Sequence, residues 1–260
     1  AESAAVLGVS LASVLCLAGA LRDTTDKVQS PAAQPSLRPN DFRVFGFAVI
    51  CLFTILFWAV FLQFLGGPYM VFAKEGLAPL HGFRVPAQWF LSLNGLVDLF
   101  VGVPLAWFYT KFNVRFHVKI RICFVLMALA CGLLGLAARL APTGGVNPLI
   151  LATSMVLISL GELHYNPVMM AAISTEMPSN LVGLFTGIHF ALAGLGGALS
   201  GAGVPLYKAM GPELFSVALC SVACVGAIGL QLIAPCLSRC FDEVSKEERL
   251  PLKVGKRQEV

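Results

Sequence analysis

Residues 43–65 read RVFGFAVICLFTILFWAVFLQFL, a stretch in which Arg43 is the only charged side chain. A helix that crosses the hydrocarbon core of a bilayer needs about 20 mostly apolar residues, so this segment reads as a membrane span. Working outward from it, similar segments occupy 3–21, 86–109, 119–140, 148–174, 181–207 and 214–237. Over the whole chain 57% of residues are hydrophobic and 12% charged, with a mean hydropathy of +0.82. Such a composition leaves too little polar surface for a soluble fold. The sequence therefore predicts an all-α membrane protein of about seven transmembrane helices.

Two long connections divide these segments. Residues 1–22 form an extra transmembrane helix, 23–42 a Pro/Ser-rich linker, 43–237 six further spans and 238–260 a charged tail. The connection 66–85 opens on Gly66-Gly67-Pro68 and runs to Pro86, the pattern of a helix end, a loop and a new helix start. Of 18 Lys and Arg, all but Lys74, Arg84, Arg139 and Lys208 fall in 22–43, in 110–121 or from Arg239 onward. Positive charge is retained on the cytoplasmic, matrix or stromal side, which predicts the C-terminus there. The basic residues follow topology and form no patch for nucleic acid.

The cysteines at 16, 51, 123, 131, 220, 224, 236 and 240 nearly all lie in apolar runs, as small packing residues rather than a disulfide framework. His164 and His189 have no HExxH or Cys/His cluster around them, so no metal site is expected. With no phosphate-binding loop or nucleophile elbow either, neither a cofactor nor an enzyme activity is expected. Ala1 reads as a processing site or as a cut in a longer chain.

Carboxylates within spans carry the most information, since one at the bilayer centre costs ~2.5–3.5 kcal/mol even on an insertion scale. Asp98 and Glu162 sit roughly 18–21 Å into their segments, near the midplane. Asn94 precedes Asp98 by four residues and Asn166 follows Glu162 by four, so each acid has an amide on its own helical face. The pattern suits a polar cavity for an ion, proton or polar ligand; hydrogen-bonded glue between helices is the structural alternative. Gly183-xxx-Gly187 and Gly197-xxx-Gly201 have the spacing of close helix packing in lipid.

Several of these stretches resemble one family. LFWAVFLQ (56–63) resembles the seventh helix of proton-dependent oligopeptide transporters, a branch of the major facilitator superfamily. VPAQWFLSLNGLVDLFVGVPLAWFY (85–109) resembles their eighth helix, and GELHYNPVMMAAISTEMPSNLVGLFTGIHFALAGLGGALSG (161–201) their tenth and eleventh. The resemblance implies a C-terminal half-bundle over 43–237. It also implies that Glu162 and Asn94 occupy peptide-cavity positions, and that Trp58 and Gln63 belong to the seventh-helix pattern FWAxxEQ.

The chain departs from that pattern at Leu62, where the family commonly has a proton-coupling acid. His189 stands where the family has a cavity tryptophan, and Asn166 where it has a small serine. The family's N-terminal six helices, with their ExxER motif, are not among the 260 residues. These departures predict a transporter-derived scaffold subunit of a larger membrane complex, not transporting by itself, with an organelle inner membrane such as the mitochondrial one as host. The alternative is the C-terminal half of a proton-coupled peptide symporter, working with a separate N-terminal half or as a homodimer. Membrane lipid and other membrane protein chains are the expected partners, covering the face lined by Asn94, Asp98, Glu162 and His189.

Overall fold

The computed structural model describes residues 42–112, 114–141, 145–177 and 179–247. The extra helix expected over 1–22, nearly all of the linker and the end of the charged tail lie outside these residues. Within them the chain forms helices α1 (Phe42–Leu65), α2 (Pro68–Glu75), α3 (Ala87–Phe112), α4 (Phe116–Leu140), α5 (Pro148–Glu176), α6 (Ser179–Ser200) and α7 (Gly203–Glu247). Six spans among the described residues are long and apolar enough to cross a membrane, the first running through α1 and α2.

Local chemistry sets the helix ends. Asn147 caps α5 by accepting the Leu149 N–H at 2.9 Å, and Pro148 follows at the first helical position, where its missing N–H costs nothing. Pro68 opens α2 in the same way. The sequence read 66–85 as a loop, but two turns of helix form there because Tyr69, Phe72 and Ala73 can be buried. The Tyr69 hydroxyl donates to Ser216 Oγ at 2.9 Å, and its ring lies 4.2 Å from that of Phe64.

The span expected over 181–207 is divided. α6 stops at Ser200, a tight turn follows, and Gly203 starts α7, where a Cβ would strike the Gln63 side chain. A second break comes at Gly211, whose φ of 77° lies in the left-handed region that favours glycine, just before Pro212.

α5 is the hub, packed against α4 and α3 and touching α1 and α6, while α4 and α7 share an extensive contact and α6 rests chiefly on α1. Phe57 and Tyr165 stack at 4.1 Å between α1 and α5, both fully buried. α3 and α6 expose most of their surface, including Leu99, Phe100, Val103 and Trp107 on α3. Lys74, Arg84, Arg139 and Lys208 gather at the bundle end where α4 and α6 finish, whereas Lys111, Arg115, Lys119 and Arg121 lie at the opposite end.

Close helix approach falls on a different glycine from those the spacing suggested. Around Gly183, Gly187 and Gly194 an added Cβ would meet open space; at Gly196 it would sit 2.7 Å from the Ile55 carbonyl oxygen and 2.8 Å from Trp58 Cβ. Gly187 and Gly196 are about two and a half turns apart and so face opposite ways, and only the Gly196 side meets α1. Gly196→Ala is expected to cost about 1–3 kcal/mol by overpacking, with Gly187→Ala near neutral. Thermal unfolding of the two variants in detergent checks the difference.

Candidate functional site

α3 and α5 bring Asn94, Asp98, Ser159 and Glu162 together about midway along the spans. Ser159 Oγ lies 2.7 Å from Asn94 Oδ1, and from the Met155 carbonyl of its own helix, and donates to one at a time. With its oxygen turned to Ser159, Asn94 aims its NH2 group at the acids: Nδ2 donates to Asp98 Oδ2 at 3.3 Å and to Glu162 Oε2 at 3.4 Å. One amide thus bridges two carboxylates on neighbouring helices. Asp98 Oδ1 is buried with no hydrogen-bond partner, and no Lys or Arg pairs with either acid among the described residues.

Two carboxylates at this depth, sharing one donor and lacking a counter-cation, repel each other and are poorly solvated. A proton or the ammonium of a ligand relieves both costs, so the arrangement can accept either.

The remaining sequence-derived residues fall elsewhere. Asn166 is half-buried and makes no hydrogen bond to Glu162 among the described residues, the amide that reaches Glu162 being Asn94 of the neighbouring helix. His189 does not share an open face with the acids, because it is fully buried. Its Nδ1 lies 3.4 Å from Thr54 Oγ1, which accepts from the Tyr165 hydroxyl at 2.7 Å, while its Nε2 has no partner. A histidine is smaller than tryptophan and carries two polar nitrogens, and the Thr54 hydroxyl on α1 draws it inward.

Gln63 is nearly fully buried and ties α1 to the end of α6, its Nε2 donating to the carbonyls of Ala59 at 2.8 Å and Ser200 at 3.3 Å. Trp58 packs edge-on against Phe57 and Phe61, with its indole N–H buried and unpartnered. Leu62 adds a neighbour to Gly197, so the position holds packing rather than charge. Ser159, Thr54 and Tyr165 were not singled out in the sequence. Ser159 and Tyr165 flank Glu162 by three residues on either side, which was the available signal.

Residues 40–216 match the profile of PTR2, the POT family. The peptide transporter YePEPT of Yersinia enterocolitica subsp. palearctica is 26% identical over 213 residues, covering 76% of this chain and 41% of that protein. The uncharacterized transporter YclF of Bacillus subtilis is 29% identical over 142 residues, covering 53% and 28% respectively. Among solved structures, a POT family transporter in complex with 5-aminolevulinic acid superposes with a TM-score of 0.71 at 18% identity, over 91% of this chain and 54% of that one. A peptide transporter POT in complex with sulfate gives 0.70 at 20% identity, over 89% and 47%. The chain thus spans about half the length of these structures, and less of the two sequence relatives.

Proposed function

Because the chain belongs to the POT family, we propose that its six-helix bundle is the C-terminal half of a proton-coupled peptide symporter. The observation that carries this reading is the Asn94 amide shared between Asp98 and Glu162 at the middle of two spans. In a closed cavity the ammonium of a peptide fits against Glu162 and Asp98, with Asn94 holding both carboxylates in place. The bundle needs a complementary six-helix half to enclose that cavity. Rocking of the halves around a midplane site then gives alternating access.

Proton coupling in this chain draws on a different acid from the family's seventh-helix one, whose place Leu62 takes. Asp98 supplies the second carboxylate. As Asp98 and Glu162 cannot both stay bare in lipid without a large cost, arrival of an ammonium group favours release of a bound proton, and its departure favours rebinding. The scaffold subunit that the departures predicted gains no support from kinship or fold, and the half-symporter accounts for two carboxylates sharing one amide at mid-span.

Reconstitution in proteoliposomes tests this. With a complementary N-terminal half, an inward proton gradient is expected to drive dipeptide accumulation that a protonophore abolishes. Gradient-independent leakage, or stable recovery of the chain in an unrelated membrane complex with no uptake, overturns the proposal.

A further inference from the structure

The four basic residues at the end of the bundle where α4 and α6 finish have different settings. Arg139 is held by Glu213, 3.8 Å away. Lys74, at the end of α2, and Arg84, just before α3, instead line one cavity of about 260 Å³ together with Gln88. Both cations are exposed and neither pairs with a carboxylate among the described residues. Glu75, next to Lys74 in sequence, lies within electrostatic reach of Tyr207 on α7.

The floor of the cavity includes Pro86 and Ala87, where α3 begins. The first N–H groups of a helix lack intrahelical acceptors and carry the positive end of its dipole; among the described residues, that of Trp89 is the one taken up, by the Pro86 carbonyl at 3.0 Å. Adjoining the cavity-lining Arg84 and Gln88 in sequence, Phe83 and Trp89 stand 51% and 60% exposed with their rings 5.8 Å apart. Exposed aromatic rings at the end of a span sit at the level of lipid headgroups. Two cations, a helix start and an adjoining pair of exposed aromatic rings complement an anion joined to an apolar body.

We propose that this cavity binds the phosphate of an anionic membrane lipid, with Lys74 and Arg84 on the phosphate and Phe83 and Trp89 against the upper part of its acyl chains. The site is separate from the Asn94, Asp98 and Glu162 cluster and does not depend on transport. Phosphate groups are shared by lipids and by free phosphate; the span-end position and the exposed rings favour the lipid.

Native mass spectrometry of the purified chain, offered phosphatidylglycerol and phosphatidylcholine in equal amounts, reads the preference. The parent is expected to retain phosphatidylglycerol over phosphatidylcholine by about tenfold, and Lys74→Gln with Arg84→Gln to lose that preference, since each cation near a membrane surface contributes comparably. Both side chains are exposed, and unchanged helix content confirms that the double variant is folded. Lys208→Gln, which removes a cation outside the cavity, is expected to keep the preference.

Equal retention of the two lipids by the parent, an undiminished preference in the double variant, or an equal loss in Lys208→Gln overturns the site. A further arm adds excess inorganic phosphate. Persistent phosphatidylglycerol retention supports the lipid, whereas its complete displacement identifies free phosphate as the ligand and overturns the lipid assignment.

Discussion

Glu162→Gln is expected to reduce proton-driven dipeptide uptake by about a hundredfold or more while leaving helix content and thermal stability near those of the parent. Glutamine keeps the shape of Glu162 and still offers an oxygen to Asn94 Nδ2, so the bridge between α3 and α5 survives. What disappears is the capacity to take up a proton or to neutralise an ammonium group. An unrelieved charge at this depth costs ~2.5–3.5 kcal/mol, which a ligand ammonium left without its carboxylate would bear, and every 1.4 kcal/mol or so is tenfold in rate. Uptake driven by an imposed proton gradient measures the loss; counterflow of labelled dipeptide, which needs no net proton movement, shows how much of it is peptide binding. An unchanged gradient-driven rate would remove Glu162 from the mechanism.

Asn94→Leu is expected to act on both stability and transport. Its amide is the donor that Asp98 and Glu162 share, and its oxygen is an acceptor for Ser159. Hydrogen bonds to charged groups contribute about 1.5–3 kcal/mol each, and leaving a buried charge without its partner is among the most costly single changes. The variant should therefore lose about 3 kcal/mol of stability together with uptake. Acidification is expected to narrow the stability gap, because protonated carboxyls carry no charge for the amide to compensate. Thermal unfolding of parent and variant across pH checks this; equal stability at neutral pH would show that the bridge contributes little.

The spans were legible because lipid demands long apolar helices, and composition alone marks them. Boundaries set by local contacts were not. α2 forms because Tyr69 and Phe72 find a buried surface beside α7, and the break at Gly203 depends on Gln63, which is far away in sequence. The acid pair was readable from Asp98 and Glu162, whose positions in their segments place both near mid-span. The i,i+4 rule pairs Asp98 with Asn94, as found, but it also pairs Glu162 with Asn166, whereas the amide that meets Glu162 is the same Asn94, reaching across to α5. His189 was placed by resemblance on the cavity wall and by structure inside the bundle, where its Nδ1 meets the Thr54 hydroxyl that Tyr165 also bonds. In the same way, of the GxxxG glycines Gly183 and Gly187 face open space and Gly197 meets Leu62, while the tightest approach to α1, at Gly196, falls outside that spacing.

The central claim is that the α3 and α5 face around Asn94, Asp98 and Glu162 is a wall of the peptide cavity. Photo-crosslinking tests it most directly, using a dipeptide with a photoreactive side chain added to the bundle reconstituted with a complementary half. Adducts on α3 and α5 near these residues, displaced by excess unlabelled dipeptide and weakened by Glu162→Gln, are the predicted result. Adducts confined to other helices, or adducts that unlabelled dipeptide does not displace, would contradict it.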